Sequence, residues 1–568
     1  MRLVPGMPAR VVRRVRGAVH PDVQVTDPPA GIHVDWNVPV VLRDGVTLRV
    51  NVFRPQATVS DGVRAPVIMS AHPYNKDAMP ANTRSGRGPN PQYRVFPHPY
   101  PVRISAWTSW EAPDPGFWVP RGYAVVNVDL RGGGTSQGRD RLLSDEEALD
   151  YAEVIEWAGT REWSTGKVGL NGVSYLAISQ YKVAALSPPH LAAICPWEGF
   201  SDLYRDFARP GGVLENGFSI VWSKGTARGA RIDGDLRAEL RRRKTRDGWF
   251  ESVTPRLEDI TVPALVCGSF SDHNLHTRGS FEVFRRIGSA NKWLYTHRDG
   301  KWSHFYGADA KQVQAQFFDW ALKGADNGWA QRPAVRLAIH EVGARPAEVR
   351  DEAEWPPADL TWTPLHLDAA RGTLTEGDPP PKPASVRFRI RRDAVTFAWV
   401  VPRDLDLLGP MTLRVWVETP DCADIHLFAG VRKLHAGREV TFEGSFGFSG
   451  DMVTHGWQRP AFRELDLQLS SEWQPVHTFA REQPPGPGEI VQVDVALLPQ
   501  ATRFRAGDVV QLELRGDWPY PRNPITGQFP SGYSPSAKGH VIVHSGGRYD
   551  SHLLVGARTA PGPRDRAG

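Results

Sequence analysis

The stretch that decides the fold reads Val168-Gly169-Leu170-Asn171-Gly172-Val173-Ser174-Tyr175-Leu176-Ala177. It begins with a short apolar run, as in a buried strand, and a helical pattern follows from about residue 175 to 186. Gly172 and Ser174 belong to a Gly-x-Ser turn between this strand and this helix. Such a strand-to-helix turn is sharp and strained, so it needs small neighbouring residues. The usual second glycine, two residues after the serine, is Leu176 here. The pattern predicts that Ser174 is held out over the carboxyl ends of a parallel sheet.

Apolar runs on both sides of this turn predict the rest of the sheet. From about Val40 to Trp320 they alternate with helical patterns, which is typical of an α/β layer with largely parallel strands. The entry is a hairpin with Asp44-Gly45 at its turn, and Ser144 with Glu147 forms a capping box that begins a helix. The further candidate strands are residues 66–70, 123–128, 264–267 and 293–295.

Two later segments break this rhythm. Between Pro196 and Pro263 glycines, arginines and helical fragments dominate, which predicts an inserted helical cap. After about Glu341 alternating apolar and polar residues separated by turn signals dominate, which predicts an all-β sandwich, most simply a jelly roll. We therefore expect an α/β core over residues 30–195 and 263–340, a cap over 196–262 and a β domain over 350–560.

A serine hydroxyl is a weak nucleophile and needs a base that a carboxylate orients. In folds with such a turn the partners follow in the order Ser, Asp, His, each on a loop after a later strand. Asp272 follows the strand predicted at 264–267, and His304 follows the strand predicted at 293–295. The sequence thus predicts Ser174, Asp272 and His304 as nucleophile, orienting acid and base.

Other readings of these residues stay open. Asp272 could be a helix N-cap, with Asp299 as the acid in its place, and His297 competes with His304. His273 and His276 lie three residues apart, as metal ligands can, but no third ligand lies nearby in the sequence and we predict no metal site.

The transition state of acyl transfer also needs donors for its oxyanion. The backbone amide of Tyr175 is one candidate. The loop after an early strand supplies the other, since the Tyr74 hydroxyl is available there. Trp197, Trp302 and Phe270 are candidate substrate-binding residues, because ligand pockets are mostly apolar.

Several motifs together resemble the CocE/NonD serine hydrolases, the family that contains cocaine esterase, the α-amino acid ester hydrolases and the X-Pro dipeptidyl-peptidases. In the α/β part these motifs are the entry hairpin, Pro73-Tyr74-Asn75-Lys76, Asp129-Leu130-Arg131-Gly132 with Ser136-Gln137-Gly138, Gly172-Val173-Ser174-Tyr175 and Gly300-Lys301-Trp302-Ser303-His304. In the β part they are Gly456-Trp457-Gln458-Arg459 with Arg463-Glu464-Leu465-Asp466, and Pro487-Gly488-Glu489-Ile490.

The resemblance implies an α/β-hydrolase core with an inserted helical cap and a C-terminal all-β jelly-roll sandwich. It also implies Ser174, Asp272 and His304 as the triad, with Tyr74 and the Tyr175 amide as oxyanion donors. No cofactor is implied. The predicted function is cleavage of carboxylic esters through an acyl-enzyme.

The sequence departs from the family at two places. Ala177 replaces a glycine usual in the nucleophile motif, a small-for-small change. The carboxylate cluster with which the α-amino acid ester hydrolases hold a substrate ammonium is not evident, although the cap could supply one from Glu198, Asp202 or Asp206. We therefore predict an uncharged acyl group.

Two rival functions remain beside the ester prediction. One stays within acyl transfer, as an X-Pro dipeptidyl-peptidase or an amide or acylpeptide hydrolase. The other is a non-catalytic carbohydrate-binding protein that uses its jelly roll. The intact Ser, Asp and His set argues against the second rival.

Composition narrows the class of protein and its partners. Of 568 residues 40% are hydrophobic, enough to build cores, which excludes a disordered chain. A formal net charge of +5 over this length is too weak a field for a nucleic-acid binder. No run approaches the ~18 apolar residues of a membrane span. We expect a small ester or a short peptide-like substrate and no nucleic-acid or membrane partner, with a homo-oligomer left open.

Cysteine usage and the first residues bear on the compartment. Residues 1–22 lack the apolar core of a secretory signal. The three cysteines, Cys195, Cys267 and Cys422, are odd in number and far apart, which disfavours a disulfide framework. A reducing cytoplasm is the predicted location.

Overall fold

The structure is a computed structural model that describes residues 9–273, 275–422, 424–521, 523, 527–528 and 531–560. Its backbone packs into two compact units. The first comprises the chain up to Leu203 together with Ser219–Glu239 and Gly248–Ala334. The second comprises Tyr204–Phe218, Leu240–Asp247 and the chain from Val335. The segment predicted as a cap, residues 196–262, contributes to both units.

A mixed sheet with the strand order β2-β3-β6-β4-β7-β8-β9-β10 forms the centre of the first unit. Only the pairs β2–β3 and β3–β6 are antiparallel, and the others run parallel. A short parallel pair, β1 with β5, lies outside it. The strands are β1 Val23–Thr26, β2 Ile32–Val41, β3 Thr47–Pro55, β4 Ala65–His72, β5 Val102–Ser105, β6 Ala124–Asp129, β7 Ser164–Val173, β8 Leu191–Trp197, β9 Ala264–Ser269 and β10 Lys292–His297.

Helices of one to four turns connect these strands. They are α1 Ala9–Val19, α2 Ala57–Ser60, α3 Gln92–Val95, α4 Pro115–Trp118, α5 Asp145–Gly159, α6 Tyr175–Ala185, α7 Phe218–Gly229, α8 Leu236–Arg242, α9 Gly248–Ser252, α10 Thr277–Arg286, α11 Lys301–Phe305 and α12 Ala308–Lys323. Single turns of 3-10 helix lie at Pro80–Asn82, Val119–Arg121, Pro210–Gly212, Leu257–Asp259, Trp329–Gln331, Ser445–Gly447 and Pro460–Phe462, and a π-helical turn lies at Leu203–Ala208.

Local sequence explains how these elements begin. The hairpin turn between β2 and β3 has Gly45 at φ 82°, and the Asp44 carboxylate accepts the Val46 amide at 3.1 Å. The Ser144 hydroxyl caps α5 by accepting the Glu147 amide at 3.1 Å. The central strands β4 and β6 are buried at every residue, as strands with both faces covered must be.

The sheet directs several loops to one edge. Because β4, β7, β8, β9 and β10 run parallel, their carboxyl ends meet there, and the loops that follow them come together. The loop after β4 is held by a buried ion pair. Lys76 Nζ lies 3.1 Å from Asp129 Oδ2 at the end of β6, and neither residue is exposed to solvent.

The second unit is a β sandwich. Its strands are β11 Val335–His340, β12 Pro346–Glu352, β13 Thr361–Asp368, β14 Thr373–Thr375, β15 Ala384–Arg389, β16 Ala394–Val400, β17 Leu405–Glu418, β18 Leu427–His435, β19 Arg438–Val440, β20 Thr454–Gln458, β21 Ile490–Phe504, β22 Val509–Arg515, β23 His540–Ser545 and β24 His552–Thr559. Alternate residues of β17 and β22, such as Leu413, Val415, Leu512 and Leu514, enter one apolar core. This is the period-2 burial that the sequence predicts, while the jelly-roll connectivity stays a prediction.

The helices of the described residues are too short or too polar to cross a bilayer.

The Lys76–Asp129 pair predicts a stability effect. Lys76 Nζ also donates to Asn37 at 2.7 Å and to Thr135 at 2.9 Å. The substitution Lys76→Met removes these hydrogen bonds and leaves Asp129 buried without its cation. We expect the free energy of unfolding in urea to fall by ~3–5 kcal/mol.

The double variant Lys76→Met/Asp129→Asn should recover part of this loss, because the uncompensated charge is gone. Lys382→Met, at an exposed position of the second unit, is the control for loss of a lysine. An unchanged urea midpoint for Lys76→Met would contradict the assigned role of the pair.

Candidate active site

A strained turn presents Ser174. Strand β7 ends at Val173, helix α6 begins at Tyr175, and between them Ser174 has φ 60° and ψ −118°. A residue with a side chain holds such a conformation only when its surroundings impose it. At Gly172, φ is 154°, and a Cβ atom there would lie 2.5 Å from Leu176 Cβ. The turn therefore requires a glycine at position 172.

Backbone hydrogen bonds hold this turn in place. The Ser174 amide donates to the carbonyl of Trp197 at the end of β8, at 3.1 Å. The Val173 amide donates to the carbonyl of Glu111, also at 3.1 Å. Ser174 itself is only 9% exposed. Its hydroxyl is thus a nearly buried group at the edge where the loops of the sheet meet.

The hydroxyl of Ser174 is in polar contact with His276. The distance from Ser174 Oγ to His276 Nε2 is 3.5 Å, and the other ring nitrogen, Nδ1, lies 2.5 Å from Asp272 Oδ2. Both residues are 1% exposed and belong to the loop between β9 and α10. The ring of Phe200 stacks on the imidazole with the planes 10° apart. The structure therefore joins Ser174, His276 and Asp272 in one line of polar contacts.

His304, the base that the sequence predicts, has other partners. Its Nε2 lies 3.0 Å from the Tyr295 hydroxyl, and its Nδ1 lies 3.4 Å from Asp299 Oδ2. Its ring stacks on His297 at 4.0 Å. The expected pairing of Ser174 with His304 therefore differs from the structure, in which His276 has the place beside Ser174.

The reason is the neighbourhood of two parallel strands. Strands β9 and β10 pair in register from Ala264 with Lys292 to Ser269 with His297, so the loops after both reach the same edge. A histidine from either loop can therefore lie near the nucleophile. Sequence reasoning considered His276 only as a metal ligand. The signal that it missed is the spacing Asp272-x-x-x-His276, which lets one loop bring a carboxylate and an imidazole together.

Burial and nearby charges set the protonation of this group. Burial raises the pKa of Asp272, but the charges of Lys301 and His276 lower it more, so the pKa lies below its usual range. For His276, burial and the charge of Lys301 lower the pKa against the opposing effect of Asp272. At neutral pH these shifts favour an ionised Asp272 and a neutral His276, the states in which an imidazole can accept a proton.

Two further carboxylates lie close to this group. Burial raises the pKa of Glu111 to about 8, and its Oε1 accepts the indole N–H of Trp302 at 3.1 Å. Burial also raises the pKa of Glu198 to about 7, and its Oε1 lies 3.1 Å from His297 Nε2. Sequence reasoning named Glu198 only as a possible ammonium ligand and did not identify Glu111.

Tyr74 lies on the loop after β4 that the Lys76–Asp129 pair holds. Its hydroxyl oxygen accepts the indole N–H of Trp222 on α7 at 3.2 Å, which leaves the phenolic proton available for donation. Burial raises the pKa of Tyr74 well above its usual value, so the hydroxyl stays protonated. The group is therefore a neutral donor.

Tyr175 contributes its backbone and its side chain to different tasks. Its amide is the first of α6, and first-turn amides have no acceptor within their own helix. Its hydroxyl donates to Glu147 Oε2 at 2.6 Å, which links α6 to the start of α5. The side chain thus supports the turn, and the amide is the candidate oxyanion donor.

The three predicted substrate-binding residues are buried in side-chain packing. Trp197 and Phe270 have no exposed surface, and Trp302 is 2% exposed. Trp197 packs on Tyr295 at 5.2 Å, and Phe270 stacks on Phe281 at 5.3 Å. Contact of any of the three with a substrate stays a prediction.

Two family models match the chain, one for each part. The model described as X-Pro dipeptidyl-peptidase (S15 family) matches residues 44–248. The model described as X-Pro dipeptidyl-peptidase C-terminal non-catalytic domain matches residues 327–554.

Solved and curated proteins are similar over longer stretches. A crystal structure of a CocE/NonD family hydrolase from Staphylococcus aureus covers 95% of this chain and 99% of its own, with a TM-score of 0.85 and 34% identity. Cocaine esterase from a Rhodococcus species is 29% identical over 404 residues, 60% of this chain and 64% of that protein. A putative Xaa-Pro dipeptidyl-peptidase from Bacillus anthracis is 26% identical over 325 residues, 52% of each. The chain thus spans about half to two thirds of the length of these curated relatives.

The predicted α/β-hydrolase core and separate C-terminal β domain are confirmed.

Substitution of His276 and substitution of His304 should have different effects on the reactivity of Ser174. A fluorophosphonate labels a serine only when a base activates it. We expect His276→Ala to slow labelling of Ser174 by ~100-fold or more, because one general base contributes at least that much. His304→Ala should keep the labelling rate within about threefold of the parent rate, and the two variants are matched controls for each other. The opposite ranking, measured by mass spectrometry, would return the role of base to His304.

Proposed function

The chain belongs to the CocE/NonD family of hydrolases, and from that premise we propose that it cleaves carboxylic esters through a Ser174 acyl-enzyme. His276 acts as the base in this proposal and Asp272 orients it. The observation that carries the proposal is the 3.5 Å approach of Ser174 Oγ to His276 Nε2, with Asp272 behind the ring at 2.5 Å. A catalytic contact of this kind shortens when substrate binds.

The reaction follows from these positions in two stages. His276 Nε2 takes the hydroxyl proton of Ser174 while Oγ forms a bond to the acyl carbon. The tetrahedral intermediate collapses, the bond to the alkoxy group breaks, and the alcohol leaves with the proton from His276. Water then attacks the acyl-serine by the same route, so the acid is released and Ser174 regains its proton. Asp272 accepts the Nδ1–H bond throughout and stabilises the imidazolium.

The oxyanion is stabilised by Tyr74 and by the amide of Tyr175. Donors are most effective when they are oriented in advance and shielded from water. Two features support this role for Tyr74: its protonated hydroxyl, and the buried Lys76–Asp129 pair that holds its loop. For Tyr175 the support is the position of its amide at the start of α6, directly after the nucleophile.

Amide cleavage at X-Pro is the second candidate function. The descriptions of both matching family models favour it. A second observation in its favour is Glu198, whose buried carboxylate interacts with the charges of His276 and Lys301 beside the candidate nucleophile. Such a carboxylate could hold a substrate ammonium. With its pKa raised to about 7, however, Glu198 carries only part of its charge at neutral pH, which favours an uncharged acyl group.

We also propose that the protein acts in the cytoplasm. Cys195 and Cys422 are free thiols, and free thiols are typical of a reducing compartment. The substrate in this proposal is a small ester or a short peptide.

A substrate panel on the purified full chain tests the proposal. We expect p-nitrophenyl butyrate to be hydrolysed with a kcat/KM at least tenfold above that of any Xaa-Pro p-nitroanilide in the panel. Ser174→Ala should keep the circular dichroism spectrum of the parent and lose nearly all turnover. Activity retained by Ser174→Ala would refute the nucleophile, and a preference for the anilides would favour the second candidate function.

The hydroxyl of Tyr74 predicts a smaller effect. We expect Tyr74→Phe to lower kcat for p-nitrophenyl butyrate by ~100-fold, equivalent to roughly 3 kcal/mol for one oxyanion donor. Its KM should change little, because the donor acts on the transition state. Tyr549→Phe, in the second unit, is the matched control. An unchanged kcat for Tyr74→Phe would remove Tyr74 from the oxyanion site.

A further inference from the structure

Lys301 is a buried cation that the reaction described above does not use. It is the first residue of α11, and it is 1% exposed. Its Nζ lies 2.6 Å from Asp272 Oδ2 and 2.8 Å from His276 Nδ1. The same Asp272 oxygen lies 2.5 Å from His276 Nδ1, so three titratable groups meet around one carboxylate oxygen.

These contacts cannot all be hydrogen bonds at once. A lysine ammonium only donates, and His276 Nδ1 must also donate to Asp272 if Nε2 is to accept the proton of Ser174. When Nδ1 carries its proton, it and Lys301 both donate to Oδ2, which has a lone pair for each, and the 2.8 Å contact between Lys301 and Nδ1 is then not a hydrogen bond. When Lys301 donates to Nδ1 instead, the proton lies on Nε2 and His276 is in the wrong tautomer for a base. The position of Lys301 therefore affects the fraction of His276 that is competent.

We propose that Lys301 is a positioning residue that holds the Asp272 carboxylate and sets the pH at which His276 becomes an active base. This inference deepens the proposed function and rests on His276 as the base. Lys301 touches no reacting atom in it. Its ammonium group acts through the acid and the imidazole, and its charge favours the neutral form of the ring.

The other charged groups around His276 act in opposing directions. Asp272, on the same loop, and Glu198, after β8, favour the protonated ring, while burial and Lys301 disfavour it. Glu111 faces Lys301 and Asp272 from the loop before α4, and His304 faces Glu198 from α11. The charge of Lys301 thus lowers the pKa of three nearby carboxylates, those of Glu111, Glu198 and Asp272.

The test is the pH profile of kcat/KM for p-nitrophenyl butyrate. The acid limb reports the loss of a proton from His276 in the free enzyme. Removing a neighbouring positive charge raises the pKa of an imidazole, so Lys301→Gln and Lys301→Met should both move the acid limb upward by ~1 pH unit. Glu198→Gln removes a negative charge and should move the limb downward. Lys382→Met, at an exposed position, should leave the limb in place.

A purely structural lysine would give a different result. In that case Lys301→Met would lower the plateau of kcat/KM. The acid limb of Lys301→Gln would stay at the same pH as in the parent enzyme. That outcome would overturn the proposal. If a Lys301 variant is too slow to assay, the pH dependence of fluorophosphonate labelling of Ser174 supplies the same limb, and the same criterion applies to it.

Failure of the proposed function is distinguishable from failure of this inference. If the His276→Ala variant still hydrolyses esters, the assignment of His276 as the base is refuted. If His276→Ala abolishes ester hydrolysis but Lys301→Gln leaves the acid limb unchanged, only the role of Lys301 is refuted.

Discussion

The strained turn at Ser174 is the constraint on which the rest of the site depends. A positive φ at a residue with a side chain costs of order 1–3 kcal/mol and persists only when neighbours impose it. Here the carbonyls of Glu111 and Trp197 hold the turn from two sides, and Gly172 lets the chain pass close to Leu176. The same turn directs Oγ toward the loops at the carboxyl edge of the sheet. Every candidate partner of Ser174 follows from that direction.

Around the turn, buried polar side chains are arranged in two neighbouring groups. One joins His276, Asp272 and Lys301 beside the nucleophile. The other joins His297, His304 and Tyr295, with Trp197 packed against all three rings. Glu198 links them, since it contacts His297 directly and interacts with the charges of both His276 and His304. A buried charge is costly unless it is paired, and the contacts within and between these groups supply that pairing.

Local patterns were enough to predict much of this protein. The hairpin at Asp44-Gly45, the buried strands and the strand–turn–helix at Ser174 follow from turn chemistry and apolar runs, which neighbouring residues determine. The position of Asp272 at the carboxyl edge of the sheet also follows from such patterns, because it comes directly after a late parallel strand, while its role as orienting acid stays a prediction. Local patterns do not determine which histidine contacts Ser174. His276 and His304 both follow a suitable strand, and the order of residues along the chain does not say which ring turns toward Ser174.

The partners of buried polar groups show the same limit. The capping box predicted the start of α5 correctly, but the carboxylate of Glu147 binds the hydroxyl of Tyr175 on another helix. The motif Asp129-Leu130-Arg131-Gly132 does not indicate its own partners, which in the structure are Lys76 for Asp129 and Asp150 for Arg131. Sequence alone determined the α/β and all-β halves and the strand–turn–helix at Ser174, because periodicity and turn geometry are local. Only the tertiary structure decided which histidine, lysine and carboxylates meet, because side chains distant in the chain are paired by packing.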